Sequence, residues 1–165
     1  MDNTYNLLSG NRFQLVIPVL PFPNTIGREL TLNIYGTVIP GNSMNVETLD
    51  WQGGFARFPI GSKNHNPFTF NFIVDEDFTN WRTFNDWMDW ITDEDDHYTR
   101  SFPDFCVNPA LIIYDGFGKQ VLQITLINAW VKAIGDVRLN TREGQTYLEC
   151  DATLEYDRLV TEKYQ

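Results

Sequence analysis

Residues 68–91 read FTFNFIVDEDFTNWRTFNDWMDWI, and the hydrophobic period changes partway along. From Phe68 to Val74, Phe68, Phe70, Phe72 and Val74 alternate with Thr69 and Asn71, the period of two that a half-buried strand requires. Beyond Phe78 the large apolar residues fall at Trp81, Phe84, Trp87, Met88 and Ile91, the spacing of one amphipathic helix within about 77–92. Asp75 or Asp77 is the expected N-cap, where a carboxylate meets free backbone N–H groups and the positive end of the helix dipole. Arg82, Asp86, Asp89 and Asp93 fall on the opposite side, and Trp90 lies off the apolar stripe.

Strand signals surround this segment on both sides. Phe13, Leu15 and Ile17 share a face of a strand at 12–17, which Pro18, Pro21 and Pro23 end because proline donates no ladder hydrogen bond. A second strand is expected at 29–39, with Leu30, Leu32 and Ile34 alternating against Thr31, Asn33 and Tyr35 until Pro40-Gly41. Residues 42–66 follow as a glycine-punctuated segment carrying Met44, Val46, Leu49, Trp51, Phe55, Phe58 and Ile60. So apolar a loop should cover something.

After a polar stretch at 93–104, Ala110–Tyr114 reads as a strand, and Asp115-Gly116-Phe117-Gly118 as the turn of a hairpin into a long strand at 120–131. The last strand, at 146–157, alternates most cleanly. Leu148, Cys150, Ala152, Leu154 and Tyr156 point one way, and Glu149, Asp151, Thr153, Glu155 and Asp157 the other. The expected fold is therefore mainly β with one flanking helix, in a single domain spanning 1–165.

The chain has 165 residues, a length that suits one core burying roughly 70% of the surface an unfolded chain exposes. Its formal charge of −10 argues against a basic nucleic-acid grip, and 42% hydrophobic content argues against a disordered acidic tail. Its apolar runs are too short and too interrupted to span a bilayer as helices. Met1–Gly10 lacks the basic and apolar regions of a secretory signal, so maturation in the cytoplasm with Cys106 and Cys150 reduced is expected. Aromatic residues make up 15% of the chain, more than one modest core needs and a composition that interfaces favour.

Catalytic or metal chemistry finds little support in the pattern. Asp75-Glu76-Asp77 and Asp93-Glu94-Asp95-Asp96-His97 lack the alternating ligands and central glycine of a calcium loop, and His65 and His97 lack metal-ligand spacing. Cys106 has no adjacent cation or Cys-X-X-Cys partner, and Cys150 sits on the apolar face of its strand. Abundant carboxylates and tryptophans leave a glycan-binding or glycoside-hydrolysing all-β module as the reading from another class.

Taken in order, these segments resemble the tail tube protein of contractile-tailed bacteriophages, a relative of the tube protein of type VI injection machines. The likeness is carried by Asn11-Arg12-Phe13-Gln14-Leu15-Val16-Ile17, by Gly36-Thr37-Val38-Ile39-Pro40-Gly41, and by the aromatic strand and helix at 68–91 with Asn85-Asp86-Trp87 and Asp89-Trp90. Its most specific part is Gln123-Ile124-Thr125-Leu126-Ile127-Asn128-Ala129-Trp130, then Ile134-Gly135-Asp136-Val137-Arg138-Leu139-Asn140, then the strand at 146–156.

The resemblance implies a small β-sandwich or barrel whose sheets join, in a hexameric ring, into one inner barrel around a channel for DNA. Segment 41–66 then corresponds to an extended hairpin packing on neighbouring subunits and rings, with Met44, Leu49, Trp51, Phe55 and Phe58 as anchors. Glu149, Asp151, Glu155 and Asp157 become candidates for an acidic channel wall. The implied partners are further copies of the chain, a tail sheath protein, a tape-measure protein and a baseplate tube initiator, with DNA passing transiently. No catalytic residue, metal or cofactor is implied, and the expected location is the virion tail, assembled in the host cytoplasm. Two near alternatives are a tube-initiating baseplate component and the tube of another contractile injection system.

Overall fold

The computed structural model describes residues 12–22, 29–32, 34–93, 98–139 and 147–164. The strands are β1 (Phe13–Ile17), β2 (Leu30–Leu32), β3 (Ile34–Thr37), β4 (Asn42–Trp51), β5 (Gly54–His65) and β6 (Phe68–Ile73). The helix α1 (Thr79–Ile91) follows, and then β7 (Thr92–Asp93), β8 (Tyr98–Thr99), β9 (Ala110–Tyr114), β10 (Gln120–Ile127), β11 (Trp130–Ile134), β12 (Glu149–Glu155) and β13 (Arg158–Lys163). A five-stranded sheet has the order β13-β10-β9-β1-β2, and a four-stranded sheet the order β11-β12-β6-β3. The pairs β4-β5 and β7-β8 stand as separate ribbons.

The apolar faces of the two large sheets form the core. Leu15, Ile17, Leu111, Ile124 and Leu126 come from the first sheet, and Phe68, Phe70, Phe72, Val131, Cys150, Ala152 and Leu154 from the second, all buried. Alternation produces this directly, because every second side chain of a strand meets the same face. Phe84 of α1 joins the phenylalanine row, with ring centroids 6.0 Å from Phe70 and 5.4 Å from Phe72. Trp87, fully buried, stacks on Phe84 and donates its indole N–H to the Phe105 carbonyl at 2.8 Å. Leu20 and Phe22, from the proline-rich connection, are buried as well, and Phe22 stacks on half-buried Trp90. Pro23 lies outside the described residues.

Several expectations need correction. The strand expected at 29–39 is two, β2 in the first sheet and β3 in the second, with Asn33 between them outside the described residues. The long strand expected at 120–131 is likewise β10 and β11 in different sheets. The chain turns at Asn128, whose φ of 55° is left-handed, a conformation asparagine tolerates better than most residues. Asn128 is held there by its N–H to Asn108 Oδ1 (2.9 Å) and its side-chain amide to Asp157 Oδ2 (2.7 Å). Such corners carry one continuous apolar pattern from sheet to sheet, so alternation alone does not reveal them.

The acidic strand stops at Glu155 and Asp157 lies in a turn, while Thr146 falls outside the described residues. A further strand, β13, follows and forms the edge of the first sheet beside β10. Neither Asp75 nor Asp77 caps the helix. The N-cap is Phe78, left-handed at φ 56° and without a side-chain cap bond. Buried Asn80 organises the turn instead: its Oδ1 accepts from the N–H of Trp81 (2.7 Å) and Asp75 (3.1 Å), and its amide donates to the Ile73 carbonyl (2.8 Å).

The polar stretch after the helix is partly ordered by β7-β8 and by Arg100, which stacks over the Trp90 ring and donates Nε to the Trp90 carbonyl at 2.8 Å. A cation there also suits the negative end of the helix dipole. Residues 94–97, with His97, lie outside the described set.

Candidate assembly surfaces

Segment 42–65 is a two-stranded hairpin, β4 against β5, closed by a turn in which Gly53 has φ +103°. Ten residues of β4 give it a length of roughly 30 Å. Its root is tied to the body where the Tyr156 hydroxyl donates to the Asn66 carbonyl at 2.8 Å. His65 packs there too, its ring 5.6 Å from Tyr156 and Nδ1 2.6 Å from Asn42 Oδ1.

Every residue of β4 is exposed, and of β5 only Ala56 and His65 are half-buried. Met44, Leu49, Trp51, Phe55 and Phe58 are 47–64% exposed, and the structure adds Val46 and Ile60 to them.

Cross-strand register divides these side chains between two faces. Leu49 pairs with Ala56, Trp51 with Gly54, Glu47 with Phe58 and Asn45 with Ile60, so Leu49, Trp51, Phe58 and Ile60 share one face, where Glu47 is the only charge. Met44, Val46, Pro59 and Phe55 take the other with Arg57, Asp50 and Lys63. The five anchors named from the sequence therefore do not form one patch. A lone two-stranded ribbon is marginal in water, and apolar side chains exposed on both faces are the kind of surface that protein interaction sites have.

Of the acidic candidates, Glu149, Asp151 and Glu155 lie on the solvent side of the second sheet, the first two exposed and the third half-buried, while Asp157 lies in the turn beyond it. Their surroundings differ. Glu149 accepts a hydrogen bond from the Tyr35 hydroxyl at 2.9 Å, and that phenol titrates above the usual tyrosine range, through partial burial first and then through the Glu149 bond and charge. Asp151 stands over Gly135, where a Cβ would come within 2.0 Å of its Oδ1, so the Gly135-Asp136 pair has a steric reason for its glycine. Glu155 pairs with Lys132, and Asp157 holds the Asn128 corner. The row also continues across the sheet, because Thr69 and Thr153 hydroxyls meet at 3.1 Å and Asn71 pairs with Asp151.

Among the described residues no three His, Cys, Asp or Glu side chains gather as metal ligands, and no helix is long and apolar enough to cross a membrane. Burial, reinforced by the charge of Asp151, pushes the Cys150 thiol up to about 11. Burial and Asp157 push Cys106 up to about 11 as well, so both are protonated, weakly nucleophilic thiols at neutral pH.

One surface feature escaped the sequence reading. Phe117, at the tip of the β9-β10 turn, is 92% exposed, the most exposed large apolar side chain among the described residues. The turn signal accounts for its neighbours Asp115, Gly116 and Gly118 but gives no reason for a phenylalanine.

A family model described as phage tail tube protein matches residues 11–162. The tail tube terminator protein of Enterobacteria phage T4 is 28% identical over 153 residues, covering 87% of this chain and 84% of its own. The fold is similar to a chain in a sheath/tube terminator structure of the extracellular contractile injection system PVC, with TM-score 0.71, 13% identity, and 96% and 99% of the two chains covered. It is also similar to a chain of the anti-feeding prophage baseplate, with TM-score 0.72, 12% identity, and 95% and 96% covered. Hcp1 of E. coli EAEC 042 aligns at TM-score 0.51 and 9% identity, covering 93% and 99%.

Proposed function

Because the chain belongs to the phage tail tube protein family, we propose that it assembles into hexameric rings of the tail tube, through which DNA passes into the host cell. The hairpin carries this reading: a long ribbon, apolar on both faces and projecting from a body with a core of its own, needs partners to bury it. Among the described residues the sheets end at β13 and β2 in one and at β11 and β3 in the other, and the backbone groups of these edge strands are available for ring closure to join. The role is structural, without a catalytic step, and its place is the virion tail after assembly in the host cytoplasm. Sheath, tape-measure protein and a baseplate initiator are the proposed neighbours.

The T4 relative favours a second reading, in which a single ring of this chain ends a tube built by another protein. Electron microscopy of the purified protein over a concentration series separates the two. Stacked rings indicate a tube protein, and isolated rings that halt the growth of a preformed tube indicate a terminator. Compact monomers at every concentration, persisting after a tube initiator is added, would reject both.

The acidic row Glu149, Asp151, Glu155 and Asp157 is proposed to face the channel. At −10 per chain a hexameric ring carries about −60, a field that repels a passing polyanion from the wall. Glu149 and Asp151 have no basic partner among the hydrogen bonds described above, so reversal is most informative there. Tubes of the double variant Glu149→Lys, Asp151→Lys are expected to retain DNA at low salt and release it as salt rises, since added lysines displace counterions from phosphates. Retention equal to that of the unaltered tube would remove these residues from the wall.

A further inference from the structure

We infer that Phe117 is a stacking anchor, seated on the Leu49-Trp51-Phe58 face of the hairpin of a second copy in the adjoining ring. The inference builds on the ring-forming reading. Its starting point is the rigidity of the turn. Asp115 N–H donates to the Lys119 carbonyl at 2.9 Å and Gly118 N–H to the Asp115 carbonyl at 3.2 Å. Asp115 Oδ1 accepts from the N–H of Phe117 and of Lys119, both at 2.9 Å. Arg12 Nη1 donates to the Gly116 carbonyl at 2.7 Å, fastening the turn to the start of β1.

Gly118, at φ +84°, supplies the backbone conformation that closes the turn, so nothing in it requires an aromatic residue at 117. A large ring held in water on a pre-ordered tip loses little entropy when it docks, which is the property of an interface anchor.

Position and chemistry identify the occupant. The turn closes the end of the first sheet opposite Ile127 and Asp157, because β9 and β10 run antiparallel away from it. The hairpin is rooted on the Asp157 side, through Tyr156 and Asn66. One chain therefore carries an apolar knob toward one end of this sheet and an apolar ribbon toward the other, a heterologous pair that repeats when copies stack head to tail. Charges agree with this pairing. Arg12, Lys119 and Asp115 surround the knob with a formal net charge of +1, opposite in sign to Glu47, the only charge on the Leu49-Trp51-Phe58 face.

The test is Phe117→Ser beside Phe117→Leu, with ring mass read by native mass spectrometry and stacking by electron microscopy. Phe117→Ser is expected to leave rings intact while raising the concentration needed for stacking at least about tenfold, with Phe117→Leu recovering most of the loss. A photo-crosslinking amino acid at position 117 should join residues 47–60 of another copy. Stacking of Phe117→Ser at the unaltered concentration, loss of ring closure itself, or crosslinks that map outside the hairpin would each overturn the inference while leaving ring assembly standing. An unaltered protein whose rings never stack would overturn this inference alone, and one that forms no rings would overturn both.

Discussion

Replacing Leu49, Trp51 and Phe58 together by serine is expected to leave a folded chain that no longer stacks into tubes. These side chains are 53%, 59% and 47% exposed in the isolated chain and lie on one hairpin face, so their removal takes little from the body. In the proposed assembly the same groups become buried. Fully burying one such side chain stabilises by roughly 1.5–3 kcal/mol, and about half of that remains to be gained here, which totals about 3 kcal/mol for the three. That weakens each contact by about a hundredfold or more. Analytical ultracentrifugation should show nothing larger than a ring at concentrations where the proposed function has the unaltered chain stacking, while the thermal melt of the body stays within a few degrees. Assembly at unchanged concentration would move the interface off this face. The companion variant Met44→Ser, Phe55→Ser tests the opposite face, and the two results together show whether the ribbon is covered on one side or both.

Trp87→Ala has the opposite signature: the body itself fails. Trp87 is fully buried, stacks on Phe84 and donates to the Phe105 carbonyl at 2.8 Å. Truncating a buried tryptophan costs about 3–5 kcal/mol through lost contacts and the cavity left behind. Orphaning the Phe105 carbonyl adds about 1–3 kcal/mol. A domain of this kind has only about 5–15 kcal/mol in total, so the variant is expected to be largely unfolded at 37 °C or to melt far below the parent. Trp87→Phe keeps most of the apolar volume and loses the hydrogen bond, and should fall between the two. Urea denaturation measures the series. A Trp87→Ala midpoint equivalent to less than about 1 kcal/mol would mean that the helix does not hold the second sheet as described.

Much of this architecture was legible beforehand, and the reason is periodicity. The inward faces of β1, β6 and β12 follow from alternation, and α1 follows from the spacing of Trp81, Phe84, Trp87 and Ile91, because a strand repeats every two residues and a helix every 3.6. β13 was not legible. Its sequence RLVTEK pairs a modest apolar centre with polar ends, and its place comes from β10 beside it. The helix start was misread for a related reason. Asp75 and Asp77 both fit a cap by pattern, and the part that Asn80 takes in organising the turn instead depends on its burial among the Ile73, Asp75 and Trp81 backbones.

The sequence by itself determined a mainly β chain with one helix, the residues that face the core, and a segment at 42–66 too apolar for a loop that covers nothing. Those are properties of local pattern and composition, which burial translates directly into structure. Tertiary structure alone decided where the chain leaves one sheet for the other at Asn128, how the anchors divide between two faces of the hairpin, and that Glu155 and Asp157 already have partners in Lys132 and Asn128. Each of these depends on register and on contacts between residues distant in the chain, and one residue of slip reverses which face a side chain meets.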